Sequence, residues 1–229
     1  MASKPNVVLV HGFWGNASHW NKVILPLVRK GYDVSAVENP LTSLAEDAER
    51  TRKMIKSQPG PVVLVGHSYG GAVITEAGDL PNVAALVFVA AFAPDAGESL
   101  ASIASKNPAP GGANLFPDEF GYLWIRKDKF RESFAQDVSD DDAILMAATQ
   151  KAPLASVFEH QVTTAAWRRK PCWYQVSSED RMIAPQTQQW LAERMKAATV
   201  TLNSSHLSPA SQPDRIVAMI EQAAEAVGR

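Results

Sequence analysis

Residues 61–77 read PVVLVGHSYGGAVITEA, and this stretch decides how the chain folds. An apolar run is followed by residues 66–70, which match the pattern G-x-S-x-G, and then by residues typical of a helix. Where this pattern joins a buried strand to a helix, the chain turns sharply at the serine, and the glycines let the two backbones approach closely. The hydroxyl of Ser68 then projects above the carboxyl edge of the sheet. Ser68 is therefore predicted to be a nucleophile that attacks a carbonyl group.

Valine-rich apolar runs recur along the chain and predict about six strands. The runs do not alternate apolar with polar residues, which is typical of strands that are covered on both faces in a parallel sheet. They lie at residues 7–10, 34–37, 62–65, 83–89, 172–176 and 198–202. Between them, helices are predicted at residues 18–29, 43–56, 71–78, 185–196 and 213–227. The alternation predicts an α/β fold, with a mostly parallel sheet flanked by helices.

One interval breaks this alternation, because about 80 residues separate the strand at 83–89 from the strand at 172–176, too many for a simple crossover. Helical pieces are predicted within it at residues 98–106, 128–134, 139–150 and 154–160. We therefore predict that residues 94–167 form a helical cap over the carboxyl edge of the strands. Residues 1–93 and 168–229 then form the core.

Composition narrows the classes of partner. The chain has 22 basic and 24 acidic residues, a formal net charge of −2 and no long run of either sign, so nothing in it favours nucleic acid or an anionic membrane. No apolar stretch approaches membrane-spanning length, and the apolar run near the amino terminus is too short for a signal peptide. Cys172 is the only cysteine, and its apolar surroundings predict a buried, inert thiol. We expect a cytoplasmic protein with a small-molecule partner; whether it forms a homodimer is left open.

A serine hydroxyl is a poor nucleophile at neutral pH and needs an adjacent base, which in turn needs an orienting carboxylate. Asp180 directly follows the strand predicted at 172–176, and His206 follows the strand predicted at 198–202. Both therefore lie at the same edge of the sheet as Ser68, in the chain order Ser, Asp, His that is typical of this architecture. We predict that Ser68 is the nucleophile, His206 the base and Asp180 the orienting acid.

Other residues compete for the last two roles. Two further carboxylates, Glu179 and Asp95, also follow predicted strands. Four further histidines are present: His11, His19, His67 and His160. Of these, His11 and His67 are expected to orient backbone within turns.

A tetrahedral intermediate needs hydrogen-bond donors for its oxyanion. The backbone N–H of Tyr69, next after the nucleophile, is one predicted donor. The second is expected from the loop after the first strand, residues 11–15, and we assign it to the N–H of Phe13.

These motifs together resemble the α/β-hydrolase superfamily. The resemblance is closest to small bacterial serine esterases near the branch of plant methyl esterases and hydroxynitrile lyases. It rests on residues 11–20 (HGFWGNASHW), 66–71 (GHSYGG), 178–180 with Pro185, and 205–206. It covers nearly the whole core, whereas the cap carries no motif. It implies a cofactor-free and metal-free serine carboxylesterase that acts through an acyl-enzyme intermediate.

Departures from that branch help to choose the reaction. The resembling lyases carry threonine after the first-turn histidine and lysine after the catalytic histidine, where this chain has Gly12 and Leu207. Relatives that cleave halides or epoxides carry an aspartate nucleophile, where this chain has Ser68. Ester hydrolysis is therefore the leading hypothesis. Lactone hydrolysis, carbon–carbon cleavage, perhydrolysis, cyanohydrin cleavage and a slow-turnover receptor for a small molecule stay open as alternatives.

Aromatic residues near the predicted site favour an apolar pocket. The substrate is then a small apolar or aromatic carboxylic ester. The residues expected to line its pocket are Gly12, Trp14, Trp124, Trp167 and Leu207.

Overall fold

Six parallel strands form the central sheet of the computed structural model, which describes residues 4–228. A separate pair of short antiparallel strands comes, in chain order, after the fourth strand of that sheet and before the fifth. In chain order the strands are β1 (Asn6–Val10), β2 (Val34–Val37), β3 (Val62–His67), β4 (Val83–Val89), β5 (Leu115–Pro117), β6 (Leu123–Ile125), β7 (Cys172–Ser177) and β8 (Ala198–Leu202). The spatial order of the central sheet is β2-β1-β3-β4-β7-β8.

Helices cover both faces of this sheet. Side chains of successive strand residues point to opposite faces, so Val8 and Leu64 belong to one apolar cluster and Leu9 and Val65 to another. The helices are α1 (Asn21–Arg29), α2 (Leu44–Lys56), α3 (Gly70–Ala77), α4 (Leu100–Ala104), α5 (Phe130–Phe134), α6 (Asp140–Ala148), α7 (Pro185–Arg194), α8 (Ser208–Ser211) and α9 (Pro213–Val227). The first cluster packs under α2, α3 and α7, and the second under α1 and α9.

The predicted parallel sheet flanked by helices is confirmed. Every residue of β1 and β3 is buried, which explains why these strands show valine runs rather than alternation. Edge strand β8 is mostly exposed and alternates more. Cys172 is buried, and burial raises the pKa of its thiol to about 12, as expected for an inert thiol.

The segment at residues 94–167 is less helical than the sequence predicts. Helices α4, α5 and α6 are shorter than their predicted ranges, and the piece predicted at 154–160 is a 3-10 turn, Ala155–Glu159. The hairpin formed by β5 and β6 was not predicted. Its turn is closed by Asp118, whose Oδ1 accepts from the amides of Phe120 at 3.0 Å and Tyr122 at 2.8 Å. The division into core and cap stays a prediction.

The beginning of α3 lies against the end of β1. A Cβ atom at Gly70 would overlap the carbonyl oxygen of Val10, so this position has room for glycine alone. None of the helices in residues 4–228 has both the length and the apolar character needed to cross a membrane.

Gly70→Ala should lower the free energy of unfolding by about 3 kcal/mol, because the added methyl group must push α3 away from β1. Gly112→Ala is the matched control, since a Cβ there meets nothing within 4 Å, and should change stability by less than about 0.5 kcal/mol. Urea unfolding followed by circular dichroism compares the two. Equal stability of both variants would contradict the close contact.

Candidate active site

Ser68 lies at the turn between β3 and α3 with a φ of 56°, a left-handed conformation that residues other than glycine rarely adopt. Such a conformation costs about 1–3 kcal/mol and persists only where neighbouring residues hold it. Here the amide of Ser68 donates to the carbonyl of Val89 at 3.2 Å, and the carbonyl of Ser68 accepts from the amide of Phe92 at 3.0 Å. The end of β4 therefore holds the strained turn in place.

Asp180 and His206 form a buried pair at the same edge of the sheet. His206 Nδ1 donates to Asp180 Oδ2 at 2.6 Å, and both side chains have no solvent exposure. The other oxygen of Asp180 accepts from the amides of Met182 at 2.7 Å and Ile183 at 2.9 Å, and Gln188 Nε2 donates to Oδ2 at 2.7 Å. Four donors thus fix the carboxylate, which orients the imidazole.

The backbone of His206 is held by a second histidine. His67 Nε2 donates to the carbonyl of His206 at 2.7 Å. Burial holds the pKa of His67 well below its usual range, so this ring is neutral and the hydrogen bond selects its tautomer. His206 Nε2 is buried and has no hydrogen-bond partner among the described side chains and backbone. This is compatible with a catalytic base, because the hydrogen bond from a nucleophile to its base is often long before substrate binds.

The loop after β1 approaches Ser68 closely. His11 Nδ1 donates to the carbonyl of Gly12 at 2.8 Å, and His11 Nε2 accepts from the amide of Asn39 at 3.0 Å. A Cβ atom at Gly12 would lie 2.5 Å from Ser68 Cβ, which explains the glycine. His11 and His67 therefore orient backbone, as predicted.

Two backbone amides beside Ser68 are unused. The N–H groups of Phe13 and Tyr69 donate to no acceptor within residues 4–228. The rings of the two residues stack, with centroids 4.1 Å apart and planes 13° from parallel. Next to them, Trp14 has a φ of 56°, and its amide donates to the carbonyl of Lys151 at 3.0 Å.

The segment at residues 94–167 also contacts the His206 loop. The ring of Phe134 lies 5.1 Å from the His206 ring. Asp137 Oδ2 accepts from the amide of Ser205 at 2.7 Å. This segment therefore packs directly on the loop that carries His206.

A cavity of about 230 Å³ opens beside Ser68. Its lining includes no charged side chain and is mostly aromatic and aliphatic. The lining residues are Phe13, Trp14, Ser68, Phe92, Ala104, Ser105, Pro108, Ala109, Gly112, Leu115, Phe158, Met182 and Ile183. The cavity is thus formed between the carboxyl edge of the sheet and the segment at 94–167.

Residues 7–219 match the model of the alpha/beta hydrolase family. This chain belongs to the α/β-hydrolase family. It is therefore an enzyme of the hydrolase class, as the sequence predicts.

Several relatives of this hydrolase span nearly all of the chain. It is 30% identical to the alpha/beta hydrolase nvfD of Aspergillus novofumigatus, over 96% of this chain and 97% of that protein. It is 25% identical to Methylesterase 2 of Arabidopsis thaliana, over 86% of each chain. The crystal structure of a pyrethroid hydrolase from Sphingobium faniae has a TM-score of 0.86 at 20% identity and covers 97% of this chain and 98% of its own, which shows a shared fold.

Three residues expected to line the pocket are not among those that line this cavity. Trp124 Nε1 donates to Asp118 Oδ2 at 2.8 Å in the β5–β6 hairpin, and Trp167 Nε1 donates to the carbonyl of Pro94 at 2.8 Å. Leu207 is fully buried in the core. Each of the three is satisfied by packing or by a hydrogen bond away from the cavity. Of the other expected residues, Trp14 lines the cavity and Gly12 contacts Ser68.

Several cavity residues were not predicted. Phe92 follows β4, and Met182 and Ile183 follow Asp180, so their places after strands offered a signal that sequence reasoning did not use. Phe158 and the other lining residues of the 94–167 segment carry no such signal.

The competing acids have other surroundings. Asp95 accepts from Arg168 Nε at 2.8 Å, and this hydrogen bond lowers the pKa of the Asp95 carboxyl. Glu179 is exposed. Neither carboxylate has a hydrogen bond to a histidine in the part of the chain that the structure describes.

Among residues 4–228, neither His19 nor His160 forms an ion pair with a carboxylate, unlike His206. Burial lowers the pKa of His19 to about 4, so this ring is neutral near pH 7. His160 Nδ1 accepts from the amide of Leu44 at 3.3 Å. Between residues 4 and 228 there is no group of three His, Cys, Asp or Glu side chains that could hold a metal ion.

Asp180→Asn should reduce the hydrolase activity by about 10⁴-fold, because the neutral asparagine side chain can neither stabilise the protonated imidazole nor select its tautomer. Glu179→Gln and Asp95→Asn are matched controls that should stay within about threefold of the parent. The activities of the three variants are compared by kcat/KM for hydrolysis of an aryl ester. A larger loss in either control than in Asp180→Asn would assign the acid to another loop.

Proposed function

We propose that this α/β hydrolase is a serine carboxylesterase that acts on small apolar or aromatic esters through an acyl-enzyme intermediate. The observation that carries the proposal is the arrangement at one edge of the sheet. Ser68 sits on a strained turn at the wall of an apolar cavity, and the buried Asp180–His206 pair follows two neighbouring strands.

In the first half of the reaction, Ser68 Oγ attacks the carbonyl carbon of the ester. Its proton passes to His206 Nε2, which is free to accept because Nδ1 carries the hydrogen bonded to Asp180. The negative charge of Asp180 stabilises the imidazolium that forms. When the tetrahedral intermediate collapses, the bond to the alcohol oxygen breaks, and the alcohol leaves with the proton from Nε2. Water then repeats the sequence on the acyl-enzyme, which releases the acid and restores Ser68.

The oxyanion is assigned to the N–H groups of Phe13 and Tyr69. Both amides lie on turns beside Ser68 and have no acceptor among the described residues. Donors held in place before the reaction stabilise the charge that develops on the carbonyl oxygen, and each is worth about 3–4 kcal/mol in comparable sites.

The cavity supports an uncharged substrate. A charged group would lose its hydration on entering a lining that offers no opposite charge, and that loss is costly. The methylesterase names of the plant relatives are consistent with ester hydrolysis. Lactones and other neutral acyl compounds fit the same residues. The cytoplasmic location stays a prediction, and the homodimer stays open.

The main alternative outside hydrolysis is cyanohydrin cleavage. A departing cyanide anion needs a positive charge in a site closed to water. Leu207, the residue after His206, is neutral and buried in the core, and no cationic side chain lines the cavity. The site therefore favours an esterase over a lyase.

Ser68→Ala should abolish ester hydrolysis, with a loss of about 10⁴-fold or more, because the attacking oxygen is removed. Release of p-nitrophenol from p-nitrophenyl esters of increasing acyl length measures the loss. Circular dichroism should show an unchanged fold. A fluorophosphonate should label the parent at Ser68 alone, and a label on another residue would contradict the assignment.

The parent should release phenol from an aryl acetate faster than benzaldehyde from mandelonitrile. The reason is that none of the described residues lining the cavity carries a positive charge that could stabilise cyanide. Both substrates are assayed side by side at equal enzyme concentration. Faster cleavage of mandelonitrile would make this protein a lyase.

A further inference from the structure

A buried carboxylate that takes no part in the proposed reaction lies on α2. Asp47 has no solvent exposure, and burial raises the pKa of its carboxyl. Its Oδ1 accepts from the amide of Leu41 at 3.0 Å, and its Oδ2 accepts from the hydroxyl of Tyr69 at 2.6 Å. Burying a carboxylate is costly unless its oxygens are hydrogen-bonded, so these two donors account for its presence. The bond to Leu41 stabilises a turn, whereas the bond to Tyr69 reaches the residue next to the nucleophile.

The Tyr69 side chain is held through its hydroxyl by Asp47 and through its ring by Phe13. Burial and the nearby Asp47 keep the pKa of its phenol well above the usual range, so the hydroxyl keeps its proton and donates. Its ring stacks on the ring of Phe13. The ring of Phe13 is packed from another side by Phe158, with centroids 4.7 Å apart. The chain of contacts therefore runs from Asp47 through Tyr69 to Phe13.

The same two residues supply the amides assigned to the oxyanion. The amide of Phe13 belongs to the loop after β1 and that of Tyr69 to the turn after β3. No covalent link fixes their separation over the sheet edge. Donors stabilise an oxyanion only when they lie about 2.7–3.1 Å from it, and a misplacement of about 1 Å is costly. The stack and its hydrogen bond to Asp47 tie the two loops together.

We propose that Asp47 is a positioning residue of the oxyanion hole: its carboxylate holds the Tyr69 ring against Phe13 and so sets the spacing of the two amide donors. The inference rests on the proposed serine esterase function. Asp47 does not line the cavity beside Ser68, and it acts through its hydrogen bond with the Tyr69 hydroxyl.

This role predicts a particular kinetic signature. Binding of the ester in the cavity does not depend on the oxyanion donors, so KM should change little, while kcat should fall. Because Asp47 and the Tyr69 hydroxyl act as one unit, their losses should not multiply.

The test compares Tyr69→Phe, Asp47→Asn and the double variant in hydrolysis of phenyl acetate. Each single variant should lower kcat about tenfold with KM within about twofold, and the double variant should be no slower than the slower single. The affinity for an aryl trifluoromethyl ketone, which forms an oxyanion on Ser68, should fall by the same factor as kcat. Urea unfolding measures how much stability each variant loses.

Thr51→Val is the matched control. Thr51 lies on α2 as Asp47 does, is fully buried, and its Oγ1 has no partner in residues 4–228. This variant should keep the kcat and the ketone affinity of the parent. A matching loss of kcat in Thr51→Val would show that any disturbance of α2 slows the enzyme, and would overturn the proposal.

Three other results would also overturn it: parental kcat in folded Tyr69→Phe, a rise in KM in place of the fall in kcat, or losses that multiply in the double variant. If Asp47→Asn does not fold, the kcat and ketone affinity of Tyr69→Phe decide alone. Ser68→Ala in the same assay distinguishes a failure of the esterase proposal from a failure of the role proposed for Asp47. Activity in Ser68→Ala removes the esterase proposal, whereas an inactive Ser68→Ala beside a fully active Tyr69→Phe removes only the role of Asp47.

Discussion

The contact between the start of α3 and the end of β1 is the constraint on which the site depends. Only glycine fits at position 70, and this close approach adjoins the sharp turn in which Ser68 adopts a left-handed backbone. The strain of about 1–3 kcal/mol persists because β3 and β4 are buried on both faces and hold the turn by hydrogen bonds to Val89 and Phe92. The other loops of the site therefore pack around a fixed backbone conformation of Ser68.

Around this turn, two buried hydrogen bonds join residues of different elements of the fold. His67 of β3 holds the backbone of His206, and Asp47 of α2 holds the Tyr69 side chain. An unpaired polar group in the interior is costly, so each such pair makes the position of a loop or turn depend on a strand or helix beside it. Three groups that find no partner among residues 4–228 are ones that the proposed chemistry uses: His206 Nε2 and the two oxyanion amides.

Sequence reasoning succeeded where a pattern is local and failed where a contact is distant. Valine runs predicted the inner strands β1, β3 and β4 because burial on both faces leaves a direct trace in composition. The β5–β6 hairpin was missed because three-residue strands are too short to show alternation. Residue type alone favours Trp124 and Trp167 as pocket residues, but a tryptophan packs wherever its ring is covered and its N–H finds an acceptor, as both do here.

The sequence by itself determined the parallel sheet, the turn at Ser68, and the loops that carry Asp180 and His206. It did so because the apolar runs and the chain order together specify which residues reach the carboxyl edge. Only the tertiary structure decided that Asp180 rather than Asp95 pairs with His206, which residues of the 94–167 segment line the cavity, and that Asp47 holds Tyr69. Those contacts join residues far apart in the chain, and their formation depends on side-chain packing, for which local sequence patterns carry no signal.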